Sequence, residues 1–160
     1  MKVLIISDTH GKSSCLKQIH DIVGDVDMLI HLGDVEGDEK LIHDLFDCEI
    51  HMVRGNCDYN PELPIYDEFN IGDKKAFITH GHRYSVNSGI SYLEELIDLE
   101  GYDFVMYGHT HRPVIDIDDD IIAVNPGSLS YPRQEGRQPS YAIMEIDREE
   151  KVHFTIAYLR

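Results

Sequence analysis

The sequence predicts an α/β protein built from two packed sheets with helices on the outside. Three observations indicate this fold class. Strand and helix signals alternate in the first third of the chain, strand signals dominate the second half, and no repeat or flexible linker divides the 160 residues. A chain of this length can bury one well-formed core. We therefore expect one domain over residues 1–160.

The N-terminal region has a β-α-β-α-β pattern. Short apolar runs predict strands at 2–7, 27–32 and 49–54, and apolar side chains at helical spacing predict helices at 13–23 and 38–47. Alternation of this kind favours a doubly wound, mainly parallel sheet at this end of the chain.

The second half is richer in strands. One helix is predicted at 88–100, and the turn-like segment DREE between the last two strands indicates a hairpin. The predicted strands are 66–71, 75–79, 103–107, 113–117, 121–124, 140–147 and 151–158.

Composition limits the classes of function. Hydrophobic residues make up 42% and charged residues 28% of the chain, which is ordinary for a soluble globular protein. No apolar stretch approaches the roughly 18 to 20 residues that cross a bilayer. The apolar opening is interrupted at Ser7 and Asp8, too early for a secretory signal. We therefore expect a cytoplasmic protein that does not use the membrane.

The formal net charge of −16 argues against binding to long nucleic acid. A small phosphate-bearing substrate remains compatible with this charge, because bound divalent cations can reverse the local field in a site. The three cysteines, Cys15, Cys48 and Cys57, form no CxxC pair. This pattern fits neither a disulfide framework nor a thiolate zinc site.

Five short polar segments each follow a predicted strand. They are Asp8-Thr9-His10-Gly11, Gly33-Asp34, Gly55-Asn56-Cys57-Asp58, His80-Gly81-His82 and Gly108-His109-Thr110-His111. Each segment alone is typical of a turn or surface loop. In α/β sheets, however, the loops beyond the carboxyl ends of the strands meet at one rim, where ligands bind. The five segments together therefore predict one shared site.

The side chains of these segments combine imidazole, carboxylate and amide donors, a mixture that suits borderline divalent ions. Seven ligands are too many for one tetrahedral zinc ion but suit two ions that share a carboxylate. Two ions about 3.5–4 Å apart can polarise a phosphoryl oxygen and generate a bridging hydroxide nucleophile at neutral pH. The predicted ligands are Asp8, His10, Asp34, Asn56, His80, His109 and His111.

The order of these motifs resembles that of the calcineurin-like metallophosphoesterase superfamily. The strings ISDTHG, GNCD, HGH, GHTH and NPGS are similar to those of the small bacterial and archaeal YfcE-like phosphodiesterases. The resemblance spans the chain from Ser7 to the closing hairpin. It implies a four-layer α/β/β/α sandwich of two mixed sheets. It also implies a dinuclear metal-dependent phosphoesterase, most similar to a phosphodiesterase, that acts on a small phosphate ester.

The resemblance also implies how the ligands are divided. Asp8, His10 and His111 would bind the first ion, Asn56, His80 and His109 would bind the second, and Asp34 would bridge both. Two divalent ions per chain are expected. Mn²⁺ is favoured, and Ni²⁺, Fe²⁺, Co²⁺ and Zn²⁺ stay open.

One departure from the superfamily concerns the proton donor. Much of the superfamily has histidine after the G-N asparagine, where this chain has Cys57. A thiol with an ordinary pKa of about 8.5 replaces that histidine poorly. The proton donor stays open between Asp58, His82 and a metal-bound water. The candidate catalytic residues are therefore these two side chains, the bridging Asp34, and Cys57 at the position of the usual histidine. Good leaving groups should react most readily, since they need little proton assistance.

Substrate contacts are expected from Asn56, Ser128 and Arg133. The segment Asn125-Pro126-Gly127-Ser128 forms either a simple turn or a rim element that directs Ser128 and Arg133 towards substrate oxygens. The planar fork of an arginine suits phosphate.

A metal-binding scaffold and a nuclease are the two alternatives to hydrolysis of a small ester. The small retromer subunit resembles this chain in length and motif positions but is a non-catalytic metal-binding scaffold. Its G-D and G-N sites are altered, whereas Asp34 and Asn56 are intact here, which favours catalysis. The −16 charge and the absence of an evident basic groove argue against a nuclease. A homo-oligomer is compatible with the sequence.

Overall fold

A computed structural model describes residues 1–118 and 121–159. The N-terminal elements are β1 (Lys2–Ile6), α1 (Ser13–Val23), β2 (Met28–His31), α2 (Glu39–Leu45) and β3 (Glu49–Met52). After these come β4 (Tyr66–Ile71), β5 (Lys74–Thr79), a short 3-10 helix (His82–Tyr84), α3 (Ser91–Glu100) and β6 (Phe104–Tyr107). The last strands are β7 (Pro113–Asp118), β8 (Ile121–Pro126), β9 (Ser140–Ile146) and β10 (Val152–Tyr158). The predicted strands and helices are thus confirmed, with boundaries that differ by a few residues.

The strands form two mixed five-stranded sheets. The first sheet has the order β10-β9-β1-β2-β3, and the second has the order β4-β5-β6-β8-β7. The neighbours β1, β2 and β3 run parallel, and the closing β9–β10 hairpin joins β1 antiparallel. In the second sheet β5, β6 and β8 run parallel between two antiparallel edge strands.

Alternation along β1 explains why the sheets pack as layers. Val3 and Ile5 face the second sheet, whereas Leu4 and Ile6 face the helices α1 and α2. A strand that is buried on both faces is a nearly continuous apolar run, as β1 is after Lys2. Helix α3 covers the outer face of the second sheet through Leu93. The architecture is therefore the four-layer α/β/β/α sandwich that the resemblance implied.

The expected doubly wound arrangement of the first sheet is wrong. Helices α1 and α2 lie on the same face, because the chain adds β1, β2 and β3 in one direction without reversing the strand order. Right-handed crossovers that continue in one direction place their helices on one side. The other face is covered by the second sheet. No helix in the described ranges is long and apolar enough to cross a membrane.

The carboxyl ends of β1, β2, β3, β5 and β6 converge at one end of the sandwich. Backbone hydrogen bonds join the loops that follow them: the Asp8 N–H donates to the Gly33 carbonyl at 3.0 Å, and the Gly108 N–H donates to the His80 carbonyl at 3.1 Å. The five polar segments therefore meet at this rim.

Candidate metal centre

Two buried carboxylates lie at the centre of the rim. Oδ1 of Asp8 is 3.0 Å from Nε2 of His111 and 3.8 Å from Nε2 of His10. Oδ2 of Asp34 is 3.4 Å from Nε2 of His80 and 3.7 Å from Nε2 of His10. Because His10 lies within 4 Å of both carboxylates, the two groups form one continuous cluster.

Backbone carbonyls orient two of the imidazole rings. Nδ1 of His80 donates to the Leu32 carbonyl at 2.6 Å, and Nδ1 of His111 donates to the Tyr131 carbonyl at 2.7 Å. A carbonyl oxygen can only accept, so both Nδ1 atoms carry hydrogen. Nε2 of each ring therefore points towards the carboxylates, where it can bind a metal ion through its lone pair. Metal-binding histidines are commonly fixed by such a contact at the other ring nitrogen.

His10 is oriented in the same way by an acidic side chain. Its Nδ1 lies 2.8 Å from Oε1 of Glu36, and its Nε2 lies 3.4 Å from Nε2 of His111. The Nε2 atoms of His10 and His111 thus both point towards the carboxylate of Asp8. The buried Oδ1 of Asp8 lacks a hydrogen-bond partner within the described part of the chain. Such an arrangement of acceptors fits a cation.

A second group of acceptors lies on the other side of Asp34. Oδ1 of Asn56 is 3.1 Å from Nε2 of His80. The His109 ring centroid is 5.1 Å from that of His80. Nε2 of His109 lies 2.9 Å from the side-chain amide nitrogen of Asn87, and the His109 backbone N–H donates to Oδ2 of Asp8 at 3.1 Å. The structure thus brings all seven predicted ligands together, with Asp34 between the two groups.

The charge balance of the cluster also favours a cation. Burial alone would raise the pKa of Asp8, but His111 and His80 outweigh it and lower that pKa. Burial likewise opposes ionisation of Asp34, yet hydrogen bonds from His80 and Cys57 lower its pKa. Burial also opposes charge on His80, but Asp34 and Asp8 raise the pKa of the imidazole. Two ionised carboxylates thus attract either protons or metal ions to the surrounding imidazoles.

Backbone strain is concentrated in this cluster. Nine non-glycine residues among those described have positive φ, and five of them are predicted ligands. Those five are Asp8, His10, Asp34, His109 and His111. A left-handed backbone is uncommon for residues with a Cβ atom, and it persists where the surroundings enforce it, often at functional sites.

Close packing explains two of the glycines that precede ligands. A Cβ on Gly55 would lie 2.0 Å from Oδ1 of Asp34, and a Cβ on Gly108 would lie 2.1 Å from Oγ of Ser7. No side chain fits at either position. The glycines of the G-N and G-H motifs therefore let the ligand loops approach one another.

The structure corrects the predicted role of Ser128. Its side chain is fully buried, and its hydroxyl donates to the Asp8 carbonyl at 2.8 Å while accepting from the N–H groups of Ser130 and Tyr131. A hydroxyl with these partners has no free position for a substrate oxygen. Ser128 braces the first ligand loop, and Arg133 lies in a cleft beside the cluster.

The carboxylate of Asp58 holds the backbone of the ligand loops together. Its Oδ2 accepts from the N–H groups of Asp34 and Gly55, at 2.8 and 2.7 Å, and its Oδ1 accepts from the Glu36 N–H at 2.7 Å. A carboxylate held by three backbone donors is stabilised as an acceptor and is poorly suited to donate a proton.

Two further candidate catalytic residues, Cys57 and His82, lie beside the cluster. Burial and the carboxylates of Asp34 and Glu36 raise the pKa of the Cys57 thiol to about 12. Burial and the neighbouring imidazoles of His80 and His109 lower the pKa of His82 to about 4. In the metal-free protein, Cys57 is thus a neutral thiol and His82 a neutral imidazole at neutral pH. The Cys57 backbone N–H donates to Oδ1 of Asp34 at 2.8 Å.

Three residues of the site were not predicted from the sequence. Glu36 orients His10, Asn87 contacts His109, and Asn125 donates to the Gly108 carbonyl at 2.8 Å. Asn125 belongs to the NPGS string, so its side chain explains part of that motif. Glu36 and Asn87 lie outside the motifs, and their contacts depend on loop conformation.

Comparison with known proteins agrees with this geometry. Residues 1–149 match the model of the calcineurin-like phosphoesterase superfamily domain. The chain belongs to this superfamily. Its members are phosphoesterases that depend on divalent metal ions, which accords with the acceptor cluster at the rim.

Two curated relatives extend the assignment. The chain is 31% identical over 152 residues to "Probable metallophosphoesterase YsnB" of Bacillus subtilis, covering 93% of this chain and 86% of that protein. It is 29% identical over 171 residues to phosphodiesterase YfcE of Escherichia coli, covering 92% and 89% of the two chains. The predicted resemblance to YfcE-like proteins is thereby confirmed.

Solved structures show the same fold. A predicted phosphoesterase from Streptococcus pneumoniae matches with a TM-score of 0.79 and 29% identity, over 98% of this chain and 97% of that one. Wild-type Vps29 from Entamoeba histolytica, solved with Zn²⁺, matches with a TM-score of 0.78 and 20% identity over both full chains. The Vps29 match shows a shared fold alone.

Proposed function

We propose that this protein is a dinuclear metal-dependent phosphodiesterase acting on a small phosphate ester, with one metallophosphoesterase domain over residues 1–160. One observation carries the proposal. Nε2 atoms of His10, His80 and His111 lie 3.0–4.0 Å from the buried carboxylates of Asp8 and Asp34, and Oδ1 of Asp8 has no hydrogen-bond partner among the described residues. Divalent cations would satisfy all of these acceptors at once.

The ligands divide into two groups that share one carboxylate. Asp8, His10 and His111 would hold one ion, and Asn56, His80 and His109 would hold the other. Asp34 lies between the groups and would contact both. When bound, such a pair of ions stabilises charge on the phosphoryl oxygens and activates the attacking water; Mn²⁺ is our first choice.

The protein's own contribution is to fix these ligands before substrate arrives. Carbonyl groups hold His80 and His111, Glu36 holds His10, and the Cys57 N–H holds Asp34. Rigid ligands of this kind avoid reorganisation during the reaction. Asn56 is exposed at the edge of the cluster, where its amide can also meet the ester.

The leaving group determines how much proton assistance is needed. Asp58 is occupied by three backbone donors and His82 is a neutral imidazole at neutral pH, which leaves water as the proton source beside the cluster. A site with no strong acid favours esters with good leaving groups. Nitrophenyl esters are therefore suitable substrates for a first test.

The test measures turnover of bis(p-nitrophenyl) phosphate and p-nitrophenyl phosphate. Metal-stripped protein is refilled with Mn²⁺, and an Asp34→Asn variant is assayed alongside. Asp98→Asn, which changes an exposed carboxylate on α3, is the matched control. We expect Mn²⁺-dependent hydrolysis of the diester that exceeds that of the monoester, is lost in Asp34→Asn and is kept in Asp98→Asn.

The alternative is a metal-binding scaffold, a function that the fold shared with Vps29 also allows. Metal binding without turnover, in the presence of Mn²⁺, Ni²⁺, Co²⁺ or Zn²⁺, would replace the enzyme proposal with this scaffold. Intact Asp34 at the centre of the cluster and intact Asn56 at its edge favour the enzyme.

A further inference from the structure

A cleft of about 600 Å³ opens beside the first group of ligands. Its walls include His10, His111 and Tyr131 together with the arginines Arg112, Arg133 and Arg137. A cleft of this size can hold a group as large as a nucleotide.

The three arginines are unusual for so acidic a chain. The chain has seven arginines and a net charge of −16, yet three of the seven line one cleft. Within the described part of the chain, no ion pair at 4.0 Å or less involves an arginine. Guanidinium groups that converge without carboxylate partners create a local positive field suited to phosphate.

The cleft is tied directly to the ligand loop. The Arg133 N–H donates to the His111 carbonyl at 2.9 Å, and Nδ1 of His111 donates to the Tyr131 carbonyl at 2.7 Å. Nζ of Lys12 donates to the Ser130 carbonyl at 3.1 Å and lies 3.9 Å from the centre of the Tyr131 ring. These hydrogen bonds therefore fix the position of the loop that carries Arg133 relative to the ligand His111.

We propose that this cleft binds a second phosphate of the substrate. The natural substrate would then be a phosphate ester with a further phosphate on the side of His10 and His111. The inference rests on the proposed function, since the ester that reacts would lie at the neighbouring ligand cluster.

A matched pair of esters tests this proposal. Thymidine 5′-(p-nitrophenyl phosphate) and its 3′-phosphorylated form release the same leaving group and differ by one phosphate. With Mn²⁺-loaded protein, we expect kcat/KM to be at least tenfold higher for the 3′-phosphorylated ester. Arg133→Gln and Arg137→Gln should each reduce that ratio at least threefold. Arg148→Gln removes the same charge from the exposed β9–β10 turn and should leave the ratio unchanged.

A binding measurement keeps the inference separate from turnover. By calorimetry, thymidine 3′,5′-bisphosphate should bind the Mn²⁺-loaded protein at least tenfold more tightly than thymidine 5′-monophosphate, and the Arg133→Gln variant should lose this preference. Equal affinities, or a preference that survives both cleft variants, would overturn the inference. Absence of turnover for both esters and for bis(p-nitrophenyl) phosphate would instead defeat the proposed function, while calorimetry would still decide about the cleft.

Discussion

The core between the two sheets and the rim at their carboxyl ends are built on opposite principles. In the core, residues such as Ile5, Ile30 and Met106 are fully buried and apolar. At the rim, Asp8 and Asp34 are almost as deeply buried but are charged, and their backbone is left-handed. Burial stabilises the first region, whereas it is costly in the second unless a cation compensates.

This contrast separates stability from function within one small protein. Strands supply the buried apolar surface, and the loops that follow them carry the strained and unpaired groups. Changes at the rim should therefore affect activity more than folding, and changes in the core should do the reverse. Four substitutions test that separation, and each has a direction that could contradict it.

The largest effect is expected from Asp34→Asn. An amide keeps the hydrogen bond from the Cys57 N–H but removes the charge shared by both ligand groups. Metal ions contribute several kcal/mol to phosphoryl transfer, so we expect kcat/KM for bis(p-nitrophenyl) phosphate to fall by about a thousandfold or more. The melting temperature of the metal-free protein should change by no more than about 2 °C. Retained turnover would contradict a bridging role for Asp34.

The core substitution Ile5→Ala should have the reverse effect. The Ile5 side chain is 0% exposed between the sheets, and its truncation leaves a cavity there. We expect the free energy of unfolding to fall by about 3 kcal/mol in urea titrations, with kcat of the folded fraction unchanged. Ile22→Ala is the control, because that side chain is 52% exposed on α1 and its loss should cost much less. An equal loss in both variants would contradict the assignment of the core.

Asp58→Asn tests the boundary between the two regions. An amide offers one acceptor oxygen where the carboxylate of Asp58 accepts from three backbone N–H groups. We expect a loss of about 2 kcal/mol of stability in the metal-free protein, together with weaker Mn²⁺ binding. Glu62→Gln, at an exposed acid in the same loop, should change neither. Normal stability with reduced turnover of esters with poor leaving groups would instead indicate a proton donor.

The smallest effect is expected from Cys57→Ala. The backbone N–H that this residue donates to Asp34 is retained by alanine, and only the contacts of the thiol with Asp34 and Asn56 are lost. Turnover of bis(p-nitrophenyl) phosphate should change by less than about threefold, since the leaving group needs little proton assistance. A loss of about a hundredfold in the same assay would assign chemistry to the thiol.

Local pattern was sufficient to predict much of the fold and the ligand cluster. Apolar runs and helical spacing located β1, α1 and α3 because each element buries a face whose period matches its geometry. The ligands were predictable because each follows a strand, and the carboxyl ends of these strands meet at one rim.

Contacts made by irregular loops were not predictable in this way. Ser128 was expected to contact the substrate and Asp58 was a candidate proton donor. Both side chains are instead hydrogen-bonded to the backbone of the ligand loops. The sequence showed no evident basic groove, since Arg112 lies far along the chain from Arg133 and Arg137 and joins them at one cleft only through the folded loops. The one-sided placement of α1 and α2 depends on the strand order, which spacing along the chain does not reveal.

The most direct test of a shared dinuclear centre is a Mn²⁺ titration of metal-stripped protein. Calorimetry counts the bound ions, and electron paramagnetic resonance detects whether they are coupled. We expect two Mn²⁺ ions per wild-type chain with a spin-coupled signal, and loss of that coupling in Asp34→Asn. A single ion per wild-type chain, or two ions without coupling, would contradict the central place given to Asp34.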